Sequence, residues 1–155
     1  LAHQHAGERV AVETVRRLKE RRPDVAIGAD LIAGFPTESD EMAENSLRLV
    51  DECDIVMGHI FPFSPKKGTP AARMPQVPPP VAKERARRLR EAAARRKRMW
   101  LKGLVGTRQR VLVEKDGMGH AENFAPVQIT SVPAGELAEV LIASLENDTL
   151  VGVPA

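Results

Sequence analysis

The feature that most constrains this chain is a nearly unbroken apolar run, Val25-Ala26-Ile27-Gly28-Ala29-Asp30-Leu31-Ile32-Ala33. It is halted by Gly34-Phe35-Pro36 and echoed by a second run from Ile55 to Phe61. Runs this short and this apolar suit parallel strands buried on both faces. Parallel strands need a crossover, and the residues between them supply one. Thr37-Glu38-Ser39-Asp40 resembles a capping box, with Thr37 as N-cap and Asp40 in place of the usual Glu. The helix it opens is predicted to reach about Glu52, with Met42, Ser46, Leu49, Val50 and Cys53 facing inward. Upstream, Glu8 to Arg22 places Val12, Val15 and Leu18 on one face and ends at Pro23, which predicts an amphipathic helix. The first part of the chain therefore reads helix, strand, helix, strand, the β/α units of a parallel sheet.

The segment from Pro62 to Pro80 holds most of the chain's twelve prolines and is predicted to be irregular and extended. Val81 to Leu104 follows as one long helix, with Ala82, Ala86, Leu89, Ala93, Trp100 and Leu104 near a heptad spacing and arginines on the other faces. Beyond it the pattern changes. Gln109 to Glu114 reads as a strand and Asp116-Gly117 as a hairpin turn. Further strands are predicted at Ala121 to Phe124, Pro126 to Ile129, Leu137 to Ala143 and Leu150 to Val153. Short strands with Gly and Pro turns predict a small antiparallel barrel, with the domain boundary near Val105.

Composition narrows the function classes. With 43% hydrophobic and 28% charged residues, the chain is globular. The net charge of +2 hides an uneven distribution: Lys83 to Lys102 carries ten Lys or Arg against two Glu, whereas Gly103 onward carries three basic residues against seven acidic ones. Four Phe, one Trp and no Tyr leave few rings on which to stack bases. The single cysteine, Cys53, allows no internal disulfide and cannot hold a metal alone, so a reducing compartment is expected. No apolar run approaches the roughly 18 residues of a transmembrane helix, and a soluble, cytoplasmic protein is expected. The first residue is Leu1 in place of Met, which fits a misread alternative start codon, a trimmed chain or a fragment of a longer one; the signatures that follow lead to the expectation of a fragment.

Three signatures occur in order. The first is Asp30-Leu31-Ile32-Ala33-Gly34-Phe35-Pro36-Thr37-Glu38. The second is His59-Ile60-Phe61-Pro62-Phe63-Ser64-Pro65-Lys66-Lys67-Gly68-Thr69-Pro70-Ala71. The third combines Val111-Leu112-Val113-Glu114 with Gly119-His120-Ala121-Glu122-Asn123-Phe124-Ala125-Pro126-Val127. Together they resemble the methylthiotransferase branch of the radical-SAM superfamily, and the sequence around Gly34 and the basic helix most resemble the subgroup acting on N6-threonylcarbamoyladenosine in tRNA. The resemblance implies an α/β fold in three parts. Residues 1–80 would be the last β/α units of an incomplete radical-SAM (TIM-like) barrel, 81–105 a basic linker helix, and 106–155 a small C-terminal β-barrel of the TRAM type.

The resemblance also implies tRNA and S-adenosyl-L-methionine (SAM) as partners, with no membrane and no DNA, and [4Fe–4S] clusters in the parent enzyme. In such a barrel the ligand lies at the C-terminal ends of the strands. That makes Gly34, Pro36, Glu38, Phe61 and Phe63 the candidate cofactor-binding residues. Gly34 would let a flat ligand approach the backbone, and Phe61 or Phe63 would lie against an adenine ring. Taken alone, the same residues also read as ordinary strand-end turn and packing residues, and Glu38 as a first-turn acid favoured by the helix dipole. Arg85, Arg88, Arg95, Arg96 and Arg98 are the candidate RNA-binding residues, with solvation of a long linker helix and pairing with nearby acids as the alternative.

Asp30, on a strand expected to be buried, should have a charged partner. His59 is expected to be a hydrogen-bonded barrel histidine, and Cys53 a core or helix-end residue. The chain departs from the family pattern in one respect: none of the cluster cysteines is present, so no catalytic or metal-binding residue is assigned. The chain by itself is expected to be inactive, and residues 1–80 poorly stable alone. A non-catalytic RNA-binding TRAM protein and a decayed gene product are the competing readings.

Overall fold

The computed structural model describes residues 2–155, with side chains from Gly7 onward. It divides into two compact units, one ending at Lys97 and one spanning Arg98–Ala155. The first unit contains α1 (Ala2–Arg21), β1 (Ile27–Ala33), α2 (Asp40–Glu52), β2 (Ile55–Pro62), a 3-10 turn at Ala71–Arg73 and most of α3 (Pro79–Leu104). Strands β1 and β2 pair in parallel, with Ile27 opposite Ile55 and Ala33 opposite Pro62.

One face of this pair is closed by helices. Ala33, Ile55 and Ile60 pack with Val50 and Cys53 around the end of α2 and with Ala86, Leu89, Ala92 and Ala93 of α3, while Val12 and Val15 of α1 cover the margin. The other face is open: Gly28, Asp30, Ile32, His59 and Phe61 are all exposed. The expectation of strands buried on both faces is corrected, because two strands and three helices supply only one covering layer. Asp30 therefore sits in solvent, where a carboxylate needs no buried counter-charge. It stands across from His59, which is exposed as well and makes no hydrogen bond among the described residues. Cys53 is buried at the C-cap of α2, donating its N–H to the Leu49 carbonyl at 2.9 Å, and burial pushes its thiol pKa up.

The cap of α2 also differs from expectation. Ser39 is the N-cap: its hydroxyl accepts from the Met42 N–H at 3.2 Å. Thr37 lies two residues earlier, in a turn closed by the Glu38 N–H on the Phe35 carbonyl, and has φ +68°. Pro36 and Thr37 occupy the centre of that turn. A backbone already committed to the left-handed region cannot take the extended conformation that an N-cap needs.

The second unit is a closed barrel of β3 (Arg108–Lys115), β4 (Met118–Ala121), β5 (Pro126–Gln128), β6 (Leu137–Glu146) and β7 (Thr149–Pro154), in the order β3-β4-β5-β7-β6. All pairs are antiparallel except β5 with β7, which is parallel. Val111, Val113, Val127, Ile129, Val140, Ile142 and Leu150 fill it, joined by Leu101 from the last turns of α3. Strand alternation does the sorting: on β3, Val111 and Val113 point in, while Arg110, Leu112 and Glu114 are less buried or exposed.

Strand β4 lies three residues earlier than predicted. Asp116 (φ +53°) and Gly117 (φ +71°) form the tight turn, and β4 starts directly after it. Residues 122–124 instead form a second turn. The Asn123 carboxamide accepts from the Ala125 N–H at 3.2 Å, and the Phe124 N–H returns to the Ala121 carbonyl at 2.8 Å.

Candidate ligand rim and nucleic-acid interface

The ends of β1 and β2 form a rim on which the five candidate cofactor residues fall into two groups. Gly34, Pro36 and Glu38 face the protein. Gly34 has φ +72°, and a Cβ there would come within 2.8 Å of the Ala82 Cα, so the first turns of α3 fill the space that a flat ligand was expected to use. Pro36 is fully buried. The Glu38 carboxylate turns inward, where Oε2 accepts the Gly34 N–H at 2.9 Å and Oε1 accepts from Arg85 Nη1 at 2.9 Å.

Phe61 and Phe63 behave differently. Phe61 is 56% exposed on the open sheet face. Phe63 is half-buried and meets Phe35 edge to face, with ring centroids 5.2 Å apart and planes at 72°. Phe35, which the sequence did not single out, is itself 44% exposed. The accessible part of the rim is thus aromatic and apolar, with no carboxylate aimed into it from Glu38.

The five candidate arginines on α3 are also divided. Arg85 is withdrawn from solvent, with its side chain 10% exposed; it donates to the Glu38 carboxylate and backbone carbonyl, and to Asp40 Oδ1 at 2.7 Å. Arg88 pairs with Glu44 at 2.6 Å and holds that carboxyl below its ordinary value. Arg96 bonds Asp54, whose other oxygen takes Lys19. Arg98 pairs with Asp148 at 3.2 Å. Of the five, only Arg95 is exposed with no ion pair among the described residues.

Lys66, Lys67 and Arg73, in the segment between β2 and α3, are also exposed and make no ion pair among the described residues. Charge density along the sequence points past them to α3. The signal that marks them is the absence of any Asp or Glu between Asp54 and Glu84.

In the barrel, Phe124 is 70% exposed at the tip of its turn, with φ +64°. The residues do not fit an iron–sulfur cluster. The one thiol is buried at a helix end, and among the described residues no three His, Cys, Asp or Glu side chains are grouped to hold a metal ion. Among the described residues, no helix is long and apolar enough to cross a membrane.

No protein-family model matches the chain. Curated relatives do. Over 137 residues it is 40% identical to a threonylcarbamoyladenosine tRNA methylthiotransferase of Rickettsia prowazekii, covering 88% of this chain and 32% of that protein. Over 148 residues it is 41% identical to a tRNA-2-methylthio-N(6)-dimethylallyladenosine synthase of Aeromonas salmonicida, covering 89% and 31%. A synthase of the same name from Erythrobacter litoralis is 41% identical over 146 residues, covering 89% and 33%. The chain spans about a third of the length of the curated relatives it matches. With such similarity running through both units, this chain belongs to the tRNA methylthiotransferase family and fits its C-terminal part.

Proposed function

We propose that this chain is the C-terminal part of a tRNA methylthiotransferase that adds a methylthio group to C2 of N6-threonylcarbamoyladenosine beside the anticodon. The observation that carries this reading is the 40% identity, over 88% of the chain, to a relative named for that substrate. In this reading residues 1–80 are the closing β/α units of a radical-SAM barrel, 81–105 a basic linker helix and 106–155 a TRAM domain. The exposed ring of Phe61 and the half-buried ring of Phe63 are the SAM-facing part of the rim. Gly34, Pro36 and Glu38 shape the rim from beneath. The protein works in the cytoplasm, where its tRNA is.

SAM supplies the radical chemistry of this family only together with a reduced cluster. Because this chain's residues hold no cluster, the isolated chain is inactive in this reading. Its own contributions are an aromatic wall for the adenine and a surface for RNA. A second reading has a specific observation in its favour: relatives named for N(6)-dimethylallyladenosine reach 41% identity.

Mass spectrometry of tRNA nucleosides from cells lacking the coding region separates the readings. Loss of the methylthio group from threonylcarbamoyladenosine is the expected result, and loss from dimethylallyladenosine would transfer the assignment to the second substrate. If neither nucleoside changes, the catalytic reading fails and a non-catalytic RNA binder or a decayed product takes its place. The purified chain, given SAM and reductant, is expected to yield no methylthiolated nucleoside.

A further inference from the structure

The cations of this protein are not equally available. Along α3 five of the seven arginines have an acid within reach: Arg87 lies between Glu84 and Glu91, Arg85, Arg88 and Arg96 bond acids on or beside α2, and Arg98 pairs with Asp148. An arginine whose charge is already balanced by a bonded carboxylate offers less net attraction to phosphate, so it adds less to the affinity for RNA than a free cation does. The segment between β2 and α3 is built differently. From Ile55 to Lys83 there is no Asp or Glu, and Lys66, Lys67 and Arg73 stand exposed without ion pairs among the described residues.

Nor is this segment a loose loop. Lys66 to Thr69 is a turn in which the Lys66 carbonyl accepts both the Thr69 N–H (3.2 Å) and the Thr69 hydroxyl (2.8 Å), with Gly68 at φ +90°. The Thr69 hydroxyl in turn accepts the Ala72 N–H at 3.3 Å, and the 3-10 turn that follows ends on Arg73. Gln76 donates to the carbonyls of Ala71 and Met74, and the Thr37 N–H donates to the Pro75 carbonyl, which ties the segment back to the rim. A backbone fixed in this way loses little entropy when its side chains engage a partner. Lys66 and Lys67 follow closely in the chain on the end of β2 and on Phe63.

We propose that the segment from Phe63 to Pro78, through Lys66, Lys67 and Arg73, is the surface on which this protein holds the phosphate backbone of its RNA. The inference rests on the tRNA reading above and moves the electrostatic contact away from the helix with the highest cation density. Free cations without neighbouring acids, displayed from an ordered turn beside an aromatic rim, match a strand whose phosphates are gripped while a base is offered to the rim.

The test is tRNA binding by the full chain, measured by fluorescence anisotropy over a range of salt concentrations. Wild type is compared with K66Q/K67Q/R73Q and with R87Q, an arginine held between Glu84 and Glu91, each checked for unchanged circular dichroism. Loss of three phosphate contacts is expected to lower the salt slope by roughly 2 and to weaken binding at least about tenfold near 0.1 M salt, with R87Q close to wild type. If wild type binds tRNA and the triple variant binds equally well, the proposal is overturned while the tRNA reading stands. If wild type fails to bind tRNA even at low salt, both fall. If polyglutamate displaces bound tRNA as effectively as unlabelled tRNA does, the surface serves acidic proteins and the RNA assignment is overturned.

Discussion

At the scale of the residue, the centre of the rim is the Glu38–Arg85 pair. Both side chains are about one-tenth exposed, and each meets more than one partner: Glu38 also holds the Gly34 N–H, and Arg85 also holds Asp40. Among the described residues, removing Glu38 leaves Arg85 with only the exposed Asp40 carboxylate as its ion partner, and removing Arg85 leaves the Glu38 carboxylate with only the Gly34 N–H. Either loss therefore costs more than the pair contributes. Glu38→Ala is therefore expected to destabilise the first unit by about 3 kcal/mol. In E38A/R85A the loss should be well below the sum of the two single losses, a coupling that a double-mutant cycle in urea measures directly. Additive losses would mean that the two side chains do not interact. Little of this was legible in the sequence. Glu38 and Arg85 are 47 positions apart, and nothing local distinguishes an acid turned toward a ligand from one turned toward a helix. Thr37 is misleading in its own way: a β-branched residue at φ +68° is rare, so its sequence context reads as a helix cap and not as the centre of a turn.

At the scale of the element, Asp54 fastens three segments. It sits just before β2 at φ +49°, bonding Lys19 of α1 on one oxygen and Arg96 of α3 on the other. Burial pushes its pKa up, but the bonds from Lys19 and Arg96 outweigh burial and hold it below the ordinary 3.8. A carboxylate depressed on folding stabilises fully above its unfolded-state value, and that contribution is lost as pH falls through the folded-state value. Wild type is thus expected to lose stability as pH drops below the ordinary aspartate range. Asp54→Asn should be less stable near pH 7 and lose less between pH 5 and 2, as thermal melts across that range would show. An equal loss in both proteins would mean that the clamp contributes nothing.

The elements themselves were largely legible, because apolar period and turn chemistry are local properties. Helices α2 and α3, the two parallel strands and the Asp116-Gly117 hairpin all lie close to their predicted positions. What pattern could not supply was the covering of a face. An apolar run says that a strand can be buried on both sides, whereas Ile32 and Phe61 are solvent-exposed because only one layer of helices is present.

At the scale of the molecule, the two units carry separate cores of unequal completeness. The barrel closes on itself, so every strand has two neighbours and its apolar residues face a common interior. Among the described residues the first unit has only a two-stranded sheet, with one unpaired edge on each strand and with Ile32, Phe35 and Phe61 exposed. Arg90 shields part of the β2 edge by donating to the Ile60 carbonyl at 3.1 Å, but one side chain does not replace a strand. Two-stranded sheets are marginal unless a covered face supports them, and here one face is covered. Unequal stability follows, and the sequence supplies a probe for each unit. Trp100, the only tryptophan, packs against the barrel core, while α1, α2 and most of α3 place the helical signal in the first unit. In urea, the far-ultraviolet helix signal is expected to be lost at a lower midpoint than the Trp100 fluorescence change, so that the two curves do not superimpose. A fragment from Pro79 to Ala155 should retain the later transition. Coincident curves with a single midpoint would instead mean that the open sheet face and its edges carry no stability penalty, and that the chain folds as one cooperative body.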